Sequence, residues 1–144
     1  MVVQPHKSSL GNLDANVMAL LAYLASAVLG WIPVISYVAW AAPLVIFFIE
    51  KQSSFVKFHS MQAFLLGLVG MIFGLIVSLI VTSIIAANPF ALGSYALAGT
   101  LSTIIGLVFL VFAIIAMVKA YKYEEYKLPL IGGLAASLTE KFGK

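Results

Sequence analysis

The stretch that decides the fold is the uncharged run at residues 58–118, FHSMQAFLLGLVGMIFGLIVSLIVTSIIAANPFALGSYALAGTLSTIIGLVFLVFAIIAMV. It contains no Asp, Glu, Lys or Arg. Because about 20 consecutive apolar residues suffice for a helix to cross a bilayer, this run is long enough for two crossings. Asn88-Pro89 interrupts it, which predicts one helix at 58–87 and another at 97–121.

Charged residues are scarce in the whole chain. Of its 144 residues, 63% are hydrophobic and 9% are charged, whereas a soluble domain carries about 25% charged residues. The composition therefore predicts an integral membrane protein, with the lipid bilayer as its surroundings. The chain has no cysteine, which excludes disulfides, thiolate nucleophiles and cysteine-based metal sites. Its net charge is only +3 and it has no dense basic stripe, so nucleic acid is not expected as a partner.

A second uncharged run, residues 15–49, precedes the first. One straight helix of that length would measure about 52 Å, well above the roughly 30 Å of a hydrocarbon core. Gly30 and Pro33 predict a break, which gives helices at 15–29 and 34–49 of roughly 24 Å each. These two helices form either a hairpin of thin spans or a re-entrant pair. The predicted fold class is an all-α integral membrane protein. It is a bundle of four transmembrane helices, or of two re-entrant and two transmembrane helices, with a short C-terminal amphipathic helix.

The positions of the charges predict the orientation. With four crossings of the bundle 15–121, the N-terminal segment 1–14, the loop at 50–57 and the chain from Lys119 through the tail 122–144 share one side of the membrane, and all 13 charges lie on that side. Lysine-rich flanks face the cytoplasm under the positive-inside rule. We therefore expect both termini to be cytoplasmic.

Small residues recur at helical spacing in the two later spans. Lipid provides no hydrophobic drive between helices, so small residues that allow close approach are typical of helix contacts in membranes. We expect these residues to pack helices within the chain rather than to form a dimer interface. The predicted packing residues are Gly67, Gly70, Gly74, Gly99 and Gly106.

The entry into the first long span combines charged, polar and aromatic residues. Ser53 or Ser54 is a candidate N-cap. We expect Phe55 and Phe58 to dip into the acyl boundary, Lys57 to reach water and His59 to bond a neighbour. The alternative is a metal-, haem- or proton-handling His59. Metal sites need several ligands, and the other histidine, His6, lies far away in the sequence, so the interfacial interpretation is favoured and no cofactor is expected.

The sequence after the last span predicts a turn and a short helix. Pro129 marks the turn, and the helix is expected to begin near Gly132 or Gly133. Its apolar residues recur every fourth position, which is typical of a segment lying on the membrane surface; they are Leu134, Leu138 and Phe142. A partner-binding helix is the alternative.

Two motifs carry a family resemblance. The pattern E-K-x-S-x-F-V-x-F-H-x-x-Q, followed by two spans and then Y-K-L-P-L-I-G, resembles the Tic20-like superfamily. More narrowly, it resembles the prokaryotic branch of small membrane proteins that includes the magnetosome protein MamF. The resemblance covers about residues 13–135 and implies a location in a prokaryotic cell membrane. Its signature positions are Glu50, Phe55, Phe58, His59, Gln62, Tyr126, Pro129 and Gly132.

The sequence predicts no enzyme, because acid–base or nucleophilic catalysis needs positioned ionisable partners and neither run has a charge. We expect a non-enzymatic subunit or scaffold of a membrane complex, whose partners are other membrane subunits or a second copy. The chloroplast relatives are protein-import components, so the resemblance implies that translocation is one version of this role. The alternative is an oligomeric small channel or transporter lined by hydroxyl residues, namely Ser78, Thr82, Ser83, Ser102 and Thr103.

Overall fold

The computed structural model describes residues 1–90 and 92–143. Ala91 and Lys144, the last residue of the predicted tail 122–144, lie outside the described residues. The described chain is all-helical, as predicted, with two isolated β-bridges and no β-strand. Its α-helices are α1 (Ala15–Leu29), α2 (Ala42–Ile49), α3 (Ser54–Ala87), α4 (Leu92–Tyr121) and α5 (Gly132–Phe142).

Two of the described helices, α3 and α4, are long and apolar enough to cross a membrane. They have 34 and 30 residues, or about 51 and 45 Å. Both begin earlier than predicted. The start of α3 is set by its N-cap, because the Ser53 side chain accepts a hydrogen bond from the Val56 amide at 3.1 Å. Lys57 is therefore a residue of the first helical turn and not the boundary of the helix.

The predicted helix at 34–49 is wrong in its first half. Two 3₁₀ turns, Ile35–Tyr37 and Ala39–Ala41, occupy that half, and α2 has only eight residues. Pro43 lies in the first turn of α2. A proline ring clashes with the carbonyl four residues before it, so a regular α-helix cannot continue through this position. The four-span bundle is therefore not established by helix length, since only α3 and α4 meet that criterion.

The buried core lies at one end of the molecule. We call this the packed end: residues 1–29, 42–65 and 116–142, where α1, α2 and α5 contact α3 and α1 also contacts α4. Its large buried apolar side chains are Phe47, Phe55, Val56, Phe58 and Met61. Beyond it, residues 66–87 and 92–115 contain no buried residue. We call these two stretches the bare helix pair.

The predicted packing glycines differ in their surroundings. A Cβ added at Gly67 would lie 3.1 Å from the Trp40 Cβ, and one added at Gly70 would lie 3.5 Å from the Phe109 ring. These two glycines therefore allow close contacts within the chain. For the other three the packing role stays a prediction, since a Cβ added at Gly74, Gly99 or Gly106 would meet nothing within 4 Å.

The C-terminal helix α5 begins at Gly132, as predicted, and packs against α3. Ala135 is buried in this contact, whereas Leu134 and Phe142 are exposed. Lys57, which was expected to reach water, is partly exposed. Its ammonium group donates a 2.7 Å hydrogen bond to the Gly143 carbonyl, at the end of α5 where free carbonyl groups favour a cation.

Candidate functional site

Three buried polar side chains meet where α1 crosses the first turns of α3. The Gln62 Nε2 group donates to the Tyr23 hydroxyl at 2.9 Å, and that hydroxyl lies 3.1 Å from His59 Nδ1. Because the hydroxyl accepts from Gln62, its own proton is directed at Nδ1. His59 then carries its proton on Nε2, which lies 3.2 Å from the Glu124 carbonyl oxygen and donates to it.

The same glutamine holds the chain that follows α4. Its Nε2 group also donates to the Tyr126 carbonyl at 3.1 Å, and its Oε1 accepts from the Leu128 amide at 3.0 Å. The two signature motifs, far apart in sequence, are therefore hydrogen-bonded to each other. We call this arrangement the His–Gln latch: Tyr23, His59 and Gln62 with the backbone of residues 124–128.

Aromatic rings enclose the latch. The ring centroids of Phe55 and Phe58 lie 4.6 and 5.1 Å from that of His59. Tyr123 stacks on Phe55 at 5.6 Å. Both phenylalanines are buried inside the protein, so the expectation that they dip into the acyl boundary is wrong. Their place around the latch keeps water away from its hydrogen bonds, which are stronger in a medium of low dielectric constant.

A second cluster surrounds Glu50, which belongs to the charged loop at 50–57 and is only 1% exposed. Its carboxylate accepts from the Ser8 hydroxyl, from the Ser9 hydroxyl at 2.7 Å and from the Ser9 amide at 3.1 Å. It also accepts from the amides of Gln52 and Ser53, at 2.8 and 3.0 Å. We call this cluster the Glu50 site. Within residues 1–90 and 92–143, no cation forms an ion pair with this carboxylate.

The position of Glu50 explains how its charge is tolerated. It lies just before α3, whose N-terminal amides present partial positive charge to an anion. His6 supports the N-cap, because its Nε2 atom lies 2.7 Å from the Ser53 hydroxyl. Burial raises the pKa of the Glu50 carboxyl, but the hydrogen bonds from Ser8, Ser9, Gln52 and Ser53 outweigh it and lower the pKa to about 2.

The lowered pKa of Glu50 predicts a loss of stability in acid. A carboxyl whose folded pKa is depressed stabilises the fold above its unfolded value, here 4.5, and that contribution disappears as the pH falls towards 2. The expected loss of unfolding free energy between pH 5 and pH 2 is about 3 kcal/mol. Thermal melting in detergent across this range measures it, with Glu50→Gln as the variant that lacks this contribution. An equal acid dependence in that variant would assign the loss to other groups.

The tail motif forms the turn that the latch holds. The Gly132 amide donates to the Leu128 carbonyl at 2.8 Å. A Cβ at Gly132 would lie 2.5 Å from the Lys127 Cα, so a side chain at this position would force the backbone apart. Leu130, next to Pro129 in the turn, has φ +68°, a left-handed conformation that is rare for a bulky residue.

Sequence reasoning missed Tyr23 and the whole N-terminal segment. Residues 1–3 pair with the chain after α4: the Val3 amide donates to the Tyr123 carbonyl and the Glu125 amide to the Met1 carbonyl, each at 2.8 Å. A tyrosine inside an apolar run is a signal that could have pointed to a buried partner, because a buried hydroxyl is usually hydrogen-bonded. Contacts between the two ends of a chain leave no such local signal.

The arrangement is suited to holding segments together. Both ring nitrogens of His59 are occupied by hydrogen bonds, as are both ends of the Gln62 amide. The metal-binding alternative for His59 gains no support, since the described residues contain no group of three or more His, Asp or Glu side chains that could hold a metal ion. The two clusters join α1, α3, the N-terminal segment and the tail.

Comparison with known proteins gives a consistent family. Residues 14–135 match the profile described as the magnetosome magnetite crystal formation protein family, MamF_MmsF. The chain is 34% identical to the UPF0132 membrane protein MJ1443 of Methanocaldococcus jannaschii, over 93% of this chain and 96% of that one. It is 27% identical to the UPF0132 membrane protein MJ1527 of the same organism, over 92% of this chain and 75% of that one. No solved structure matches.

Proposed function

The chain belongs to the magnetosome magnetite crystal formation protein family, and from this membership we propose that it is a non-enzymatic membrane scaffold, a subunit of a membrane complex. The observation that supports the proposal is that the first turns of α3 and the rest of that helix differ in their contacts. Its first turns use their polar side chains to hold the packed end together, through His59 and Gln62. Beyond that base, no residue of the bare helix pair is buried in the chain, so its surface stays accessible to lipid or to another helix.

The dimensions suit two crossings by the bare helix pair. Residues 66–87 measure about 33 Å and residues 92–115 about 36 Å, close to the roughly 30 Å of the hydrocarbon core. The N-terminal segment, the charged loop at 50–57 and the tail, all parts of the packed end, then lie at the cytoplasmic surface of a prokaryotic cell membrane. Both termini belong to this end.

In this arrangement α1 and α2 enter the membrane part of the way, as a re-entrant pair. Helix α1 is only about 22 Å long, and the turn after it reverses direction at Val34, where φ is +71°. A turn at membrane depth must satisfy its own backbone groups. This one does so at several positions: the amides of Trp31, Ile32 and Ser36 donate to carbonyls three or four residues earlier, at 2.9–3.2 Å.

The bare helix pair offers a surface for another helix. A groove of about 270 Å³ runs between α3 and α4. Gly74 and Gly106 line it, and neither glycine has a neighbour within 4 Å of an added Cβ. Small residues allow the backbones of membrane helices to approach closely. The proposed occupants are a span of another subunit or a second copy of this chain. Protein translocation, implied by the resemblance to Tic20-like proteins, is one version of such a complex.

The channel alternative has weaker support. The hydroxyls of Ser83 and Thr100 donate to carbonyls of their own helices, at 2.8 and 2.9 Å. Hydroxyls bonded in this way are common in helices and do not indicate a path. Ser78 and Ser102 do line the groove, so single-channel recording of the reconstituted protein remains the direct test of this alternative.

Association is tested by isolating the protein from native membranes in mild detergent and weighing the intact assembly by native mass spectrometry. We expect an assembly larger than one chain, and we expect Gly106→Leu to reduce it because the side chain fills the groove. Gly93→Leu is the matched control, because Gly93 lies about 140° away around the same helix. A strict monomer for the unmodified chain, or equal assembly in both variants, would overturn the proposal.

A further inference from the structure

A second cavity lies next to that groove, where α3 and α4 meet the tail turn. It has a volume of about 420 Å³, within the roughly 300–1,000 Å³ of ligand sites. Every lining residue is apolar. The turn contributes Leu128, Pro129, Leu130 and Ile131, and the helices contribute the remainder, including Val69, Phe73, Val108 and Phe112.

The depth of this cavity matches one leaflet of the bilayer. Its lining extends over residues 66–73 of α3 and 105–112 of α4, about 10 Å along each helix. One leaflet contributes about 15 Å of hydrocarbon. The turn that closes one end of the cavity is hydrogen-bonded to Gln62 and lies next to Glu124 and Tyr126, so that end is at the level of the headgroups.

Leu130 supplies an independent observation at the rim. Its side chain is fully exposed, at 101% of its reference area, and its φ of +68° is a left-handed conformation. Holding a leucine in this conformation costs free energy and is uncommon away from functional positions. A fully exposed leucine at the mouth of an apolar cavity is explained if hydrocarbon covers it.

A cation adjoins the same rim. Lys127 precedes Leu128 and is exposed. Two lysines of this end are engaged in the chain: Lys119 pairs with Glu124 at 2.7 Å, and Lys57 donates to Gly143. In the part of the chain that the structure describes, Lys127 forms no ion pair. A lysine at the membrane surface attracts anionic lipids.

We propose that this cavity binds one acyl chain of an anionic phospholipid, with the lipid phosphate held at Lys127. The apolar lining recognises the chain, and the charge selects the headgroup. This cavity and the groove at Gly74 and Gly106 share Ile105 and Phe109 in their linings, so the test uses variants at Val108 and Leu130, which line this cavity and not the groove.

The test is native mass spectrometry of the full chain in detergent, with equal amounts of phosphatidylglycerol and phosphatidylcholine that carry the same acyl chains. We expect phosphatidylglycerol to be retained in preference, and Lys127→Gln to reduce that preference about fivefold. Lys122→Gln is the control, since Lys122 does not adjoin this cavity. An unmodified chain without headgroup preference would overturn the assignment of Lys127.

The cavity itself is tested by filling it. Val108→Trp is expected to lower lipid retention about tenfold, whereas the neighbouring Leu107→Trp, outside the lining, should leave it unchanged. Leu130→Gly is a second variant. Glycine adopts the left-handed conformation readily, so this variant should fold and should retain less lipid than the unmodified chain. Equal retention in Val108→Trp and Leu107→Trp would overturn the proposal. A second result would also overturn the proposal. If the lipid-free protein formed a dimer and Val108→Trp dissociated it, a second copy of the chain would be the occupant of the cavity.

Discussion

The variant Gln62→Leu is expected to lose about 4 kcal/mol of unfolding free energy. Leucine has a similar size but no polar atom, so the Leu128 amide loses its acceptor and the Tyr126 carbonyl loses its donor. The Tyr23 hydroxyl also loses a partner. A buried backbone group without a partner costs about 1–3 kcal/mol, and three groups are affected together.

Thermal or chemical unfolding in a fixed detergent measures this loss. The matched control is Gln52→Leu, because Gln52 is an exposed glutamine of the preceding loop whose side chain lies outside the latch. We expect this control to change stability by less than about 0.5 kcal/mol. If the two leucine variants were equally stable, the latch would have no role in holding the packed end together.

The variant Glu50→Gln is expected to lose about 3 kcal/mol. Both oxygens of the Glu50 carboxylate accept hydrogen bonds from hydroxyl and amide donors. A glutamine amide of the same shape has only one oxygen that can accept them. Its NH₂ group would face N–H or O–H donors of the protein. The loss of negative charge at the N-terminus of α3 adds to the cost.

The control for this variant is Glu140→Gln, which removes a carboxylate from the exposed face of α5. It should be neutral within about 0.5 kcal/mol. Both variants can be compared by melting in detergent at pH 7, where the Glu50 carboxyl is ionised. Similar melting temperatures would contradict the structural role of the Glu50 site.

The sequence predicted the features that depend on local chemistry. Hydropathy and the break at Asn88-Pro89 located α3 and α4, although both begin earlier than predicted. Pro33 located the break after α1, and the start of α5 was predicted near Gly132 or Gly133. The error at 34–49 is that the predicted helix runs through Pro43, whereas the structure places this proline in the first turn of α2. These successes and this error both concern interactions between residues close in sequence.

The candidate site could be predicted only in part. The signature residues were identified, but nothing local shows that His59 and Gln62 would bind the backbone beyond α4 rather than face the membrane boundary. Nothing in the sequence of the loop at 50–57 indicates that Glu50 is buried, and a carboxylate without a paired cation is rarely buried. Its burial depends on donors from Ser8 and Ser9, which approach only once the N-terminal segment has folded across the loop.

The hydrogen bond between the Leu128 amide and Gln62 tests the central claim most directly, because it joins the two signature motifs. Hydrogen exchange of single amides reports how often such a bond opens. We predict slow exchange at Leu128 in the unmodified protein and fast exchange in Gln62→Leu, while amides in the middle of α4 remain protected in both. Fast exchange at Leu128 in the unmodified protein, or equal protection in the variant, would contradict the account.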